Sequence, residues 1–328
     1  MTGLPVIATA APDRRPGSAR LLARRVAVAL AQFAAVSVIV FALTTLLPGD
    51  TADVVLGPDA TDDQVTVLRT ELGLDRPATE RFLDWAGGLL TGDLGRSLVT
   101  GQPVAGELAA RLGGTVLLGG LALALLVPAA VALGVIAGRR PGSGTDRALT
   151  GTVSALQAVP EFALGLVLVA LFSLQLGWLP ATAGGGSLLS PGVLVLPVLV
   201  LAANQLGRLA RQIRLGVVET DRAPHVTHLR RLGLPERVVL LRHVLPGGAL
   251  PSLQQLARIV DGLLGGVVVV EALFALPGVG AGFVDAVQAR DLPLVQGYAL
   301  LFAATTILVN LVLDVVSARL VPVREDAP

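Results

Sequence analysis

The sequence predicts an all-α, polytopic membrane protein with six transmembrane helices. Three observations carry that expectation. Of 328 residues, 53% are hydrophobic, and the mean hydropathy is +0.74. Charged residues make up 15%, against about 25% in soluble domains. The charges that remain are sorted by sign along the chain. Their near-balance, a net +1, excludes a basic nucleic-acid binder and an acidic disordered chain.

Composition also removes chemistries. All 25 basic residues are arginine, and neither lysine nor cysteine occurs. Without lysine there is no lysine-dependent P-loop and no Schiff base. Without cysteine there is no thiol nucleophile, disulfide or thiolate metal site. Any ATP-driven work therefore needs another chain.

The first apolar run, Val26–Leu47, is 22 residues without a charge. As a helix it is roughly 33 Å long, enough to cross a bilayer. It is too long for the apolar part of a signal peptide and ends without a small-x-small site, so a retained helix after a tail of residues 1–25 is expected. Residues 48–108 then form an outer helical region. Thr61-Asp62-Asp63-Gln64 has capping-box spacing. Val65, Leu68 and Leu72 share one face, and Gly73 can end that helix in the left-handed conformation. Pro77 suits the first turn of a second helix carrying Phe82, Trp85 and Leu89 on one stripe. Gly92-Asp93-Leu94-Gly95 reads as a tight turn. These two helices serve either as a packing cap or as a docking surface for an outer partner.

The later spans are expected over Gly114–Ala137, Ala148–Leu176, Pro191–Leu206, Ser252–Ala272 and Leu294–Ala318, within a core of residues 109–320. Pro160 predicts a kink or a lead-in segment in the third, and Pro197 interrupts the fourth. Arginine placement orients them. Eighteen of the 25 arginines fall in the N-terminal tail, the loops after the second and fourth spans, and the C-terminal end, which closes with a tail of residues 321–328. Pro48–Leu108 holds four arginines against eight Asp and three Glu, and Gly177–Ser190 holds no charge. Both termini are therefore expected on the cytoplasmic side.

The inner loop 207–247 contains eight arginines, all three histidines, Glu219, Asp221 and Glu236. Thr220 or Asp221 is expected to cap a short helix with Pro224 in its first turn, running to about Leu232. Gly233 then takes the left-handed conformation. Leu234-Pro235-Glu236 restarts a second helix, which Pro246 stops. Ala223, Val226, Leu229, Leu232, Gly233, Leu234 and Pro235 are the expected docking residues, an apolar side offered to a partner groove with arginines as rim; the flanking arginines can equally be a solvated or lipid-facing edge. His225 and His228 could share a helix side, but no further ligands complete a metal site.

Polar residues inside spans are functional candidates by default. Arg258 and Asp261, three apart, are expected to pair or to line a path. Gln157, Asn204, Asn310 and Asp314 pose the same choice. Gly119, Gly120, Gly262, Gly265 and Gly266 are read as close helix approaches.

Several ordered motifs join these features. They are Leu47-Pro48-Gly49-Asp50, Glu71-Leu72-Gly73-Leu74-Asp75-Arg76-Pro77, Gly92-Asp93-Leu94-Gly95-Arg96-Ser97 and Pro160-Glu161-Phe162-x-x-Gly165. Glu271-x-Leu273-Phe274-x-x-Pro277-Gly278-Val279-Gly280, Arg290-Asp291-Leu292-Pro293-Leu294-Val295-Gln296-Gly297 and Leu308-Val309-Asn310-x-x-x-Asp314 follow. In that order the chain, from about Arg24 to Arg324, resembles the inner-membrane permeases of binding-protein-dependent ABC importers, in the dipeptide/oligopeptide/nickel group. The resemblance implies a type I ABC importer permease fold, with the outer helical region as an insertion after the first helix. It implies a non-catalytic subunit beside a second permease subunit, two cytoplasmic ATPase subunits and an extracytoplasmic solute-binding protein, in contact with membrane lipid and not with nucleic acid. ATP and Mg would be bound in the partner subunits and no cofactor by this chain. Gly233 and Arg242-His243-x-Leu245-Pro246 match the family's coupling segment, whereas Pro224, His225 and Leu229–Leu232 depart from it. The competing expectation is a secondary transporter not powered by ATPase subunits, which would show inverted repeats; none is evident.

Overall fold

A computed structural model describes residues 18–46, 51–57, 59–184, 190, 192–249 and 252–320. The expectations for the terminal tails beyond 18 and 320, and for the motif Leu47–Asp50, lie outside the described residues. Among the described residues the chain is helical, with one isolated bridge between Arg96 and Pro103.

The elements in order are α1 (Ser18–Leu46), α2 (Thr51–Leu56), α3 (Asp62–Glu71), α4 (Ala78–Thr91), α5 (Val104–Arg139), α6 (Gly144–Ala158) and α7 (Glu161–Leu168). A π-helical stretch, Val169–Gln175, extends α7. There follow α8 (Val195–Asp221), α9 (Pro224–Arg231), α10 (Glu236–Val239), a second π-helical stretch Leu240–Val244, α11 (Leu245–Ala249), α12 (Ser252–Leu273), α13 (Val279–Gln288) and α14 (Leu292–Leu320).

Ala23–Leu46, Val104–Arg139 and Leu292–Val316 are each long and apolar enough to cross a membrane. Along them Leu30, Leu43, Val116 and Leu308 point outward and are largely exposed. α6 and α7 together make a fourth candidate, bent by 101° at Val159–Pro160. Pro160 supplies no N–H and restricts the residue before it, so the helix stops and restarts rather than bending smoothly. α6 is thus the lead-in segment of the expected third span.

α5, α8 and α12 form the main core, around Leu126, Leu201, Leu209, Val217, Ile259 and Val270. Two glycines in α5 set the α5–α8 distance. A methyl at Gly134 would stand 2.8 Å from the Ala210 carbonyl, and one at Gly138 2.8 Å from Val217 Cγ1. This four-residue spacing of small residues lets two backbones meet. Gly262 and Gly266 likewise face Gln205 and Glu161, with would-be methyl contacts of 2.5 and 2.6 Å. Gly119, Gly120 and Gly265, read from the sequence as close approaches, have nothing within 4 Å; they lie on outward faces of their helices.

Three expected boundaries move. α5 begins at Val104, so the division at 108/109 falls inside a helix. The expected loop 207–247 starts as helix, because α8 runs on to Asp221; Pro197 sits in its first turn, where a missing N–H costs nothing. Pro246 does not stop the second inner helix. It lies in the first turn of α11, after the wide π-helical turn.

The region between α1 and α5 follows its sequence signals where it is described. Thr61 and Gln64 form the capping box, with Thr61 N–H donating to Gln64 Oε1 at 3.0 Å. Gly73 has φ +66°. Phe82 and Trp85 on α4 stack against Phe41 of α1, with ring centroids 5.2 and 5.5 Å from it. Pro77 sits one place earlier than expected, as the residue preceding α4.

Candidate functional site

The α9–α10 hairpin is the first candidate. α9 starts at Pro224, preceded by Ala223, which makes no side-chain cap. The expected caps Thr220 and Asp221 belong instead to the last turn of α8. The Asp221 carboxylate is taken by Arg230, whose Nη2 donates to Asp221 Oδ1 at 2.5 Å and to Glu236 Oε1 at 3.0 Å. Glu236 also faces Arg139, the last residue of α5, at 3.5 Å. One guanidinium therefore ties together the end of α8, α9 and the start of α10, with the end of α5 beside them. The hydrogen bonds to Glu236 and then Asp221 hold the Arg230 guanidinium charged well above its ordinary range. In return Arg230 holds the Glu236 carboxyl below the usual carboxylate range.

Gly233 has φ +78° and ends α9 as the spacing predicts, with no atom within 4 Å of a would-be Cβ. Its neighbour Leu232 is 63% exposed, and Pro235, His225 and His228 are exposed too. Val226 is not on that surface. It is fully buried, and Ala223, Leu229 and Leu234 pack partly buried against the same core. The apolar side expected to face a partner thus divides. Val226 faces the protein because the amphipathic stripe of a short helix is satisfied first by the core beneath it. Leu232, Gly233 and Pro235 form the free tip. No group of three metal-ligating side chains occurs among the described residues.

Behind the hairpin, Asp146 of α6 is buried against Arg214 of α8, in a two-pronged pair with Nε and Nη2 at 2.5 and 2.6 Å. The Gly142 N–H also donates to it, at 2.8 Å. Sequence reasoning did not single out this pair. An acid three residues after Ser143 reads as ordinary helix-start chemistry, and Ser143 does cap α6.

The polar residues expected inside spans fall into separate neighbourhoods. Gln157 Oε1 accepts from Arg211 Nη2 at 2.7 Å. Asn204 is half-buried on α8. Arg258 and Asp261 do not pair among the described residues. Three residues apart leaves them about 60° apart around the helix, and the long arginine lies exposed while Asp261 is half-buried. Asp261 Oδ1 and the Oε1 of the neighbouring buried Gln205 have no hydrogen-bond partner. Asn310 Nδ2 donates to Thr306 O of its own helix at 2.9 Å, and Asp314 faces Arg25 of α1 at 3.8 Å.

At the opposite end the sequence motifs acquire physical reasons. Glu271 is 1% exposed. Its carboxylate accepts from Thr115 Oγ1 at 2.6 Å and from the N–H groups of Gly280 and Ala281 at 2.7 and 3.1 Å. It thereby caps α13, and Thr115 takes the Val279 N–H at 2.8 Å. Gly278 packs on this carboxylate and Gly280 on the Val268 backbone so tightly that neither site admits a side chain. Similarly, Asp291 accepts from Ser97 Oγ and from the N–H of Leu98 at 3.2 Å, joining two motifs 194 residues apart.

Two family profiles cover the chain. The binding-protein-dependent transport system inner membrane component matches residues 130–324, and its N-terminal counterpart matches residues 18–118. A Brucella abortus protein, provisionally named a peptide transport system permease, is 36% identical over 299 residues, 90% of this chain and 95% of that one. A Sinorhizobium fredii protein named a probable peptide ABC transporter permease is 35% identical over 298 residues, 89% and 94% of the two chains. The Escherichia coli glutathione transport system permease protein GsiC is 37% identical over 288 residues, 88% and 92% of the two.

Proposed function

This chain belongs to the inner membrane components of binding-protein-dependent transport systems and is a permease subunit of an ABC importer; from that premise we propose that it forms half of a six-span pathway for peptides or similar small solutes, driven through the α9–α10 hairpin. Such a permease works with a partner ATPase and a binding protein. The other half of the pathway is a second permease, and two ATPase subunits bind below. Both termini face the cytoplasm, and residues 48–108 face the binding protein. ATP hydrolysis falls to the partner subunits, because this chain lacks the lysine a P-loop requires. Peptide or glutathione-like cargo follows from the relatives' names. Asn204, Asp261, Arg258 and Gln157, on α6, α8 and α12, are the candidates for the path.

The observation that carries the docking reading is the exposed tip Leu232–Gly233 on a hairpin whose base is anchored at Val226 and clamped by Arg230. A free apolar tip on a rigid base is the shape a partner groove accepts. The test is co-purification with the ATPase and stimulation of ATP hydrolysis in Gly233→Trp and Gly233→Asn. Asparagine tolerates the left-handed backbone and adds little bulk, so it should retain both. Tryptophan should insert into the membrane normally and lose stimulation at least ten-fold. Full stimulation by Gly233→Trp would remove the tip from the docking surface.

A further inference from the structure

α1 and α14 lie antiparallel. Gln296 Nε2 meets Thr44 Oγ1 at 2.8 Å at one end, and Arg25 faces Asp314 at the other. At the Arg25 end they leave a cleft of about 410 Å³. Its polar lining is Arg24, Arg25, Gln32, Asn310 and Asp314, and Leu311 is one of its apolar residues. From Arg25 to Gln32 the helix rises about 10 Å. The charged groups thus sit at the mouth and the apolar walls run inward from it.

The charges in the cleft do not cancel. Two guanidinium groups face one carboxylate. Arg25 Nη1 stands 3.8 Å from Asp314 Oδ2, too far for a hydrogen bond, and that nitrogen has no hydrogen-bond partner. Arg24 makes no ion pair among the described residues. Such a mouth has spare donors in the fork geometry that suits phosphate oxygens. Lodged between two long apolar helices, it sits where a phospholipid places its phosphate, with an acyl chain lying along the Leu311 wall.

We infer that the α1–α14 cleft binds the phosphate of an anionic phospholipid of the inner leaflet, gripped by Arg24 and Arg25. This rests on the proposed orientation, which puts the cleft mouth at the cytoplasmic surface.

The test uses the transporter purified with its partner subunits and reconstituted in phosphatidylcholine vesicles. These carry a trace of either spin-labelled phosphatidylglycerol or spin-labelled phosphatidylcholine. The motionally restricted fraction of each label gives their relative association constant. Wild type should favour phosphatidylglycerol. Arg24→Gln and Arg25→Gln should each reduce the preference about five-fold. Arg147→Gln, outside the cleft, should leave it unchanged. Asp314→Asn, which removes the competing carboxylate, should raise it. Inorganic phosphate in millimolar excess should not displace the labelled lipid.

Equal restriction of the two lipids by wild type would overturn the inference, as would an unchanged preference in the double arginine variant. Displacement by inorganic phosphate would make the cleft a free-anion site. Loss of the second permease from the complex in the double variant would make it a subunit interface. A cysteine placed at Ser143 of this cysteine-free chain and labelled from outside would sink the orientation alone. If the ATPase fails to co-purify, the transport reading falls, and the lipid preference of the permease alone still decides the cleft.

Discussion

Removing Glu271 should be the most damaging single change at the α12–α13 end of the molecule. The carboxylate is buried and accepts three hydrogen bonds, from Thr115 Oγ1, Gly280 N and Ala281 N. Hydrogen bonds of this kind are worth about 1–2 kcal/mol each, and a buried donor left unpaired costs a similar amount. Glu271→Ala orphans two backbone N–H groups and removes the Thr115 acceptor, for a loss of about 4 kcal/mol. No side chain can refill the space from Gly278 or Gly280. Glu271→Gln keeps one oxygen for the α13 amides and turns its NH₂ toward Thr115, for a loss of about 1–1.5 kcal/mol. At about 2 °C per kcal/mol, the alanine variant should lose about 8 °C and the glutamine variant 2–3 °C. Heating the detergent-solubilised protein and measuring the monodisperse fraction by size exclusion reads both. An alanine variant within 1 °C of wild type would refute the capping account. Equal losses in the two variants would show that charge, not acceptor geometry, is what the site uses.

Two further outcomes follow from the hairpin and the α5–α8 contact. The folded Glu236 carboxyl is held below its ordinary value by Arg230, so the hairpin's ion pairing is complete above about pH 4 and is lost only as acid drives the pH through the lowered folded value. Hydrogen exchange over residues 232–238 should therefore show no extra opening between pH 5 and 8, and Glu236→Gln should open the segment at pH 7. A break anywhere between pH 5 and 8 would refute this account. Gly138→Leu should push α5 from Val217 and abolish a monodisperse species, whereas Gly119→Ala, in open space, should stabilise by about 0.5–1 kcal/mol. Tolerance of leucine at 138 would argue against the close contact.

Local signals were legible where the physics is local. The Thr61 box, the turn at Gly73 and the left-handed Gly233 depend on residues within one helical turn, and all three appear as read. The stripe of Phe82 and Trp85 was visible, but its target, Phe41, lies 41 residues away and no periodicity points to it. Boundaries failed where tertiary packing extends a helix past its polar signals. α8 carries Arg208, Arg211 and Arg214 along its length because Asp146 and Gln157 receive two of them. Read as a sequence, those arginines look like a loop. Glu271 was legible as part of a motif but not as a cap, since its partners are Thr115 and a helix that begins eight residues later. The Arg258–Asp261 spacing allows a pair without requiring one, and the arginine's long stem takes it elsewhere.

If the hairpin docks an ATPase, as proposed, its buried half bears on how movement there could reach the rest of the molecule. Had Val226 faced outward, the partner would hold a loose flap, and its movement could be absorbed at the turn after Asp221. Val226 and Val239 are instead fully buried in the same core that contains Leu209, Ile213 and Val217 of α8. Arg230 bridges to Asp221 at the end of that helix. A displacement of Leu232 large enough to matter would therefore carry α8, an unbroken 27-residue helix, because close-packed cores resist local compression. α8 in turn presses Gly134 and Gly138 on one side and meets Gly262, through Gln205, on the other. The unpartnered Oε1 of Gln205 sits at that second contact, and Asp261, whose Oδ1 is also unpartnered, precedes Gly262 on α12. Unsatisfied buried acceptors are costly, so a second arrangement of α8 against α12 that brought donors to these oxygens would gain that stabilisation. If such a second arrangement exists, the α8–α12 contact rather than the hairpin would be the two-state element. Gln205→Leu, which removes one of the two orphaned acceptors at similar volume, should stabilise the present arrangement in a thermal assay while slowing ATP-driven uptake. Faster uptake together with lower thermal stability would refute this placement.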